Sequence, residues 1–163
     1  AGPEGIRAAY KKLTPEARNC ITIENEEISY GLSDCLSLRD IVPIVLDIHH
    51  HWIREGEYIS PDSDLVRMVC ESWRGVRPTL HYSVSREDLL TAHSGNVLPN
   101  LNSLTESGHK KQKLRAHSDF YWNTAANEWA LQFLDTHDIM CESKGKNLAS
   151  FALAEQAKSL SLI

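Results

Sequence analysis

The chain has 163 residues, enough to bury a substantial core, and we read residues 1–163 as a single domain. Its 42% hydrophobic and 24% charged content is that of an ordinary globular protein. No apolar run has the length of a membrane span, and no signal-peptide pattern opens the chain. The net charge of −5 argues against a generic nucleic-acid-coating protein, though not against an enzyme whose metal ions and local basic loops meet phosphates. Cys20, Cys35, Cys70 and Cys141 form no CxxC pair and read as buried reduced thiols, which favours a cytoplasmic or nuclear compartment. The sequence opens Ala1-Gly2-Pro3-Glu4 rather than with Met, as a processed or excised segment would.

A first helix is expected over Glu4–Leu13. Short apolar strands, polar turns and amphipathic helices then alternate, with strands at Cys20–Glu24, Pro43–Ile48, Thr79–Tyr82 and Ile139–Glu142. Between the second and third strands, Ser60 is the expected N-cap and Pro61 the first helical residue, with Asp62 and Asp64 at the positive end. Leu65, Val69 and Trp73 make that helix's apolar stripe, and Gly75 stops it. A further helix is predicted over Thr124–Thr136, with Trp129 and Phe133 facing inward. The last follows Asn147, with Leu148, Phe151 and Ala152 on one face. Alternating strands and helices imply parallel strands joined by helical crossovers, so the fold class is α/β.

Side-chain parity carries this toward chemistry, because successive strand residues point to opposite faces. Ile21 and Ile23 oppose Thr22 and Glu24; Ile44, Leu46 and Ile48 oppose Val45 and Asp47. Leu80 and Tyr82 oppose Thr79 and His81, and Ile139 and Cys141 oppose Met140 and Glu142. One face of each strand suits a covering helix. The other ends, at the strand's C-terminal end, in a carboxylate or an imidazole, and in a parallel barrel those ends converge on one mouth. Four ionisable groups gathered there need a cation to neutralise them. Mixed oxygen and imidazole donors suit Mn²⁺, Zn²⁺, Fe²⁺ or Mg²⁺, and the missing cysteine set argues against structural zinc. The plain alternative is that Glu24, Asp47, His81 and Glu142 are separate polar residues. The run Asp47-Ile48-His49-His50-His51 is more specific: the chain turns after Asp47, so His50 reaches back to the same cluster, leaving His49 and His51 to outer positions or to solvent.

Several segments resemble successive strand motifs of the UV-damage endonuclease family, in the family's order and across nearly the whole chain. They are Ile23-Glu24-Asn25, Val42 to His51 with its DxHHH motif, Arg77 to Ser83, Arg115-Ala116-His117-Ser118-Asp119 (RAHxD), and Met140 to Lys146. The resemblance implies a TIM-type (β/α) barrel with a divalent metal cluster, commonly Mn²⁺, at its C-terminal mouth, and incision of damaged double-stranded DNA 5′ to UV photoproducts. By motif match, Glu24, Asp47, His50, His81, His117 and Glu142 would be the metal ligands. Many members carry Lys two residues before the strand histidine, where this chain has Thr79. A full barrel takes roughly 250 residues, so the chain is expected to form only the C-terminal half, about four strand-helix units. It would then self-associate or pair with an N-terminal half-barrel, and by itself cut little DNA. Apolar residues facing the missing half, such as Val45 and Met140, are expected to be uncovered.

Lys144 and Lys146, just past Glu142, are expected to face phosphate or tune a metal-bound water. Arg86, Lys110, Lys111, Lys113 and Arg115 are candidate backbone-phosphate contacts. Trp73 and Trp129 fit helix core stripes, whereas Trp52 and Trp122 sit in predicted loops near the mouth, where a base could stack. Two rivals remain at this stage. One is a metal-dependent sugar isomerase or epimerase on a related barrel, separable by a ketose turnover assay. The other is a non-catalytic half-barrel that serves as an assembly module, separable by molecular size and metal content.

Overall fold

In a computed structural model, which describes residues 2–163, the strands form one parallel four-stranded sheet in the order β1-β2-β3-β4. The chain opens with α1 (Pro3–Tyr10) and α2 (Pro15–Arg18), then enters β1 (Ile23–Glu24) and α3 (Leu32–Leu36). Strand β2 (Ile44–Asp47) runs straight into α4 (Ile48–Glu55), and α5 (Asp64–Ser72) leads to β3 (Thr79–Tyr82). A long excursion follows, carrying α6 (Leu101–Glu106) and α7 (Lys111–Leu114). It returns through α8 (Thr124–Leu131) and a 3-10 turn (Gln132–Asp135) to β4 (Asp138–Cys141) and α9 (Lys146–Ser159). Neighbouring strands are consecutive in sequence and the winding never reverses, the order of a singly wound barrel wall rather than of a doubly wound sheet.

The predicted alternation holds. Ile44, Leu46, Leu80 and Tyr82 are completely buried in the larger core, with Val69, Ala130, Phe133 and Ala149 from the covering helices. A second, smaller core joins Trp52 and Ile53 of α4 to Leu90, Leu101, Leu104 and Leu114, so the excursion after β3 folds onto α4. Among the described residues no helix is long and apolar enough to cross a membrane.

Several boundaries differ from the sequence expectation. Strand β1 is only two residues long, and Ile48 begins a helix instead of ending a strand. The cap of α5 is Ser63, whose hydroxyl accepts from the Val66 amide, while Ser60-Pro61-Asp62 form the turn before it. Both serines are good cap residues; the helix begins where Val66 and Val69 can both be buried. On α9 the stripe of Leu148, Phe151 and Ala152 faces solvent, Phe151 being 64% exposed. Ala149, Leu153 and Ala157 turn inward instead, because small side chains let α9 lie close to α8 and β4. Trp52 lies in α4 and is 3% exposed, which removes it as a stacking platform, and Cys20 is exposed in the turn before β1. Met140, on edge strand β4, is 52% exposed, whereas Val45, on an inner strand in register with Glu24, is buried.

Candidate metal centre

Asp47 is the hinge of the site. It ends β2 and N-caps α4, its Oδ1 accepting from the His50 amide at 2.7 Å. Asn25 locks its backbone from both sides: the Asn25 Nδ2 donates to the Asp47 carbonyl and the Asp47 amide donates to Asn25 Oδ1, each at 2.9 Å. Register sets Asp47 opposite His81 on β3, and Glu24 and Glu142 come from the ends of β1 and β4. Ligand atoms of Glu24, Asp47, His81 and Glu142 all lie within 4.8 Å of one another. His81 Nδ1 is 3.1 Å from Glu24 Oε1 and 3.3 Å from Glu142 Oε1.

His50 joins from the first turn of α4, its Nδ1 lying 3.4 Å from Asp47 Oδ2 and 3.6 Å from Glu24 Oε1. His117 stands at the rim, with Nε2 4.0 Å from Glu142 Oε2. Backbone pairing brings it there: Ser85 and His117 form an antiparallel bridge, the Arg86 amide donates to Ala116 O, and the Ser118 amide donates to Val84 O. The segment after β4 is stitched on in turn, with the Lys144 amide on Ser118 O and the Gly145 amide on Asp119 O. A Cβ at position 145 would collide with that Asp119 carbonyl, so this approach requires glycine.

Electrostatics fit a cation. Burial pushes the Asp47 carboxyl up to about 7. The Glu24 carboxylate beside it raises His81 against the cost of its burial. Burial would lower His50, but Asp47, Glu27 and Glu24 outweigh it and raise it. Glu24 is pushed up by burial and pulled down further by His81 and His50, so that it stays below the usual carboxylate range. The centre thus gathers positive charge wherever it can. Asp47 Oδ2 and His81 Nδ1 are buried without a hydrogen-bond partner, although both face the cluster. Carboxylate and imidazole donors with buried, unpartnered atoms match what a divalent cation needs.

His49 and His51 are both buried rather than exposed. His49 stacks on Trp52, with ring centroids 5.7 Å apart, and burial drives its pKa down to about 3. Three of the basic candidates find protein partners. Arg86 pairs with Asp88, and Lys111 Nζ donates to the Arg54 carbonyl at 3.0 Å. Arg115 Nη1 is 2.6 Å from Glu27 Oε1. Lys110, Lys113, Lys144 and Lys146 are exposed, and the Lys144 charge helps lower the His117 pKa, though burial of His117 is the main cause. Trp122 is half-buried, its Nε1 donating to Ser85 O. An open cleft of about 760 Å³ beside the cluster is lined by Glu27, His50, Arg86, Lys113, Arg115 and His117. Sequence reasoning missed Asn25 and Glu27. Asn25 had a signal, since it follows the strand-end Glu24; Glu27 lies in an irregular turn that parity cannot address.

This is a parallel α/β sheet carrying an acid-and-histidine cluster at its C-terminal edge. The model of the UV-endonuclease UvdE family matches residues 1–163, and the chain belongs to that family. It is 29% identical over 158 residues to a UV-damage endonuclease of Schizosaccharomyces pombe, covering 93% of this chain and 22% of the relative. To a UV DNA damage endonuclease of Bacillus cereus it is 27% identical over 161 residues, covering 92% of this chain and 42% of the relative. The crystal structure of SacUVDE superposes with a TM-score of 0.63 at 22% identity, over 94% of this chain and 45% of that one. The chain therefore spans less than half the length of each of these proteins.

Proposed function

We propose that the chain carries a divalent-metal centre of a DNA-repair endonuclease that hydrolyses the phosphodiester 5′ to UV photoproducts. One observation carries this reading: four ligand atoms converge within 4.8 Å at the sheet's C-terminal edge, among residues that include the unpartnered Asp47 Oδ2 and His81 Nδ1. Glu24, Asp47, His81 and Glu142 would hold one ion, and His50 and His117 flank it where a second would be held. Mn²⁺ suits the mixed donors best, with Mg²⁺ or Zn²⁺ as substitutes. When bound, such ions supply an activated water and charge neutralisation at the scissile phosphate. The protein's own task is positional. Asn25 and the cap on α4 hold Asp47 rigid, Glu24 orients His81, and the Ser85–His117 bridge fixes the rim. Lys144 and Lys146, exposed just past Glu142, would serve as phosphate contacts. The adjoining cleft, with Arg86 and Lys113, would take damaged double-stranded DNA, whose backbone is read mainly through its charge.

The sheet is proposed to be the C-terminal half of a TIM-type barrel. The test is thermal unfolding of the chain with increasing Mn²⁺. A ligand that binds only the folded state raises the melting temperature by mass action, and Glu142→Gln should abolish most of the shift. A melting curve unmoved across a wide Mn²⁺ range would refute the metal reading.

A further inference from the structure

Of the run Asp47-Ile48-His49-His50-His51, Asp47 and His50 face the cluster and His49 does not. His49 precedes His50 on α4, turned about 100° around the helix from it, and is 4% exposed. An imidazole so buried costs free energy unless it is paired. The ring is stacked on Trp52 and meets the His117 ring edge-on, with 6.4 Å between centroids. Its Nε2 lies 3.3 Å from the Leu114 carbonyl oxygen. A carbonyl can only accept, so His49 donates. Leu114 ends α7, and the carbonyls of a helix's last turn have no partner within the helix. Buried, this oxygen needs donors from elsewhere. It finds the Ser85 hydroxyl, at 2.6 Å, and His49.

We propose that His49 is a positioning residue: by holding the Leu114 carbonyl and abutting the His117 ring, it sets the separation of His50 and His117. Those are the two histidines that flank the second ion position, so the proposal rests on reading the cluster as a metal centre. The two donors on Leu114 O do different things. Ser85 is bridged to His117 and belongs to the same rim unit as Leu114, so its bond closes that unit on itself. His49 belongs to α4, the helix that carries His50, so its bond ties the rim to that helix. Trp52 and Ile53 of α4 share the smaller core with Leu114, but apolar contact has no direction and does not fix where the rim sits along α4. A hydrogen bond does, because it weakens steeply out of line. The same bond orients the neighbours of Leu114. With that residue drawn inward, Lys113 and Arg115 are left to line the cleft beside the cluster. His49 thus acts on the centre through His117 and the rim, without itself touching an ion.

Two substitutions separate the donor from the bulk. His49→Leu fills the space and removes the donor, whereas His49→Gln removes the ring and keeps an N–H at similar reach. In the metal-free whole chain, hydrogen exchange reads the rim at the amides of Arg86 and Ser118, which bond to Ala116 O and Val84 O on either side of His117. Both should exchange about 10-fold faster in His49→Leu, the effect of one buried hydrogen bond, while the amides between β2 and β3 exchange as in the wild type. His49→Gln should restore most of the protection, which it would not do if His49 served only to fill space. Where the wild type binds two Mn²⁺ ions, His49→Leu should weaken the second by about 10–100-fold and spare the first. Exchange at Arg86 and Ser118 unchanged in His49→Leu overturns the proposal, as does a His49→Gln no better protected than His49→Leu, or faster exchange throughout the sheet. Should His49→Leu not fold, the wild type decides. The ring N–H of His49 should be protected from exchange in ¹H–¹⁵N spectra, and one exchanging like a free imidazole overturns the proposal. A wild type that binds no Mn²⁺, or one ion only, counts against that part of the metal reading and leaves exchange at the rim to judge His49 separately.

Discussion

Asp47 is asked to be two things, a helix cap whose Oδ1 accepts the His50 amide and a buried charge whose Oδ2 has no partner. Without metal the second is costly, which is why its carboxyl is pushed up to about 7 from 3.8. The folded state then holds a proton that the unfolded state releases, so the Asp47 contribution to stability is present at about pH 4 and lost as pH rises to about 7. His49 and His137, buried and driven down to about 3 and about 4, pull the other way, since unfolding lets them take up protons below their ordinary 6.5. The Asp47 contribution is therefore read as a difference. Asp47→Asn keeps a capping oxygen and removes the charge. In chelator-treated protein the variant should gain on the wild type as pH rises from 4 to 7, by denaturant unfolding at each pH. Saturating Mn²⁺ should reverse the order, because only the wild type retains the carboxylate. A stability difference flat with pH would mean that Asp47 is not the strained group.

At the scale of elements, the rim depends on the excursion between β3 and α8. Leu114 is completely buried in the smaller core, immediately before Arg115 and three residues before His117. Leu114→Ala should cost about 2–5 kcal/mol, the usual range for such a truncation. It should also weaken protection of the Ser118 amide, which bonds to Val84 O beside His117. Denaturant unfolding and hydrogen exchange measure the two; exchange at Ser118 unchanged in the variant would show that the bridge holds His117 without the core beneath it. Gly145→Ala should destabilise by about 1–3 kcal/mol through overpacking against Asp119. These elements also mark how far the sequence could be read. Strands alternating with helices made the sheet and its parallel sense legible, and period-two parity within each strand made the convergence of Glu24, Asp47, His81 and Glu142 legible, since parity is a local property. The α4 helix hid inside a strand-like run, because Ile48 continues the β2 pattern and only Asp47 as a cap reverses it. The outward turn of Leu148 and Phe151 was illegible for another reason: the inward face of α9 is Leu153 flanked by Ala149 and Ala157, which fit close packing, and not the face with the most large side chains. Likewise Glu27 reaches His50 through a turn with no periodicity, so nothing short of tertiary structure could have placed it.

For the molecule as a whole, the two faces of the sheet are covered unequally, with Val45 buried and Met140 exposed on the face away from the helices. The core lies between the strands and the helices, while on the other face Met140 of β4 is 52% exposed. Strands β1 and β4 are edges, each with one strand partner among the described residues. Exposed edges and an apolar strand residue invite pairing with another chain, and the outward apolar stripe of α9 offers a second, separate sticky surface. The two make different predictions. If copies meet through the open face and edges of the sheet, Met140→Lys should shift the chain toward monomer, whereas Phe151→Lys on the helical side should leave its size unchanged. We expect that result, because an edge joins backbone hydrogen bonding to apolar contact, whereas α9 has its backbone bonds satisfied within the helix. Light scattering over a wide concentration range reads both variants. A size that falls only with Phe151→Lys would move the contact to α9, and a wild-type chain that stays monomeric throughout would show that neither surface is sufficient for self-association.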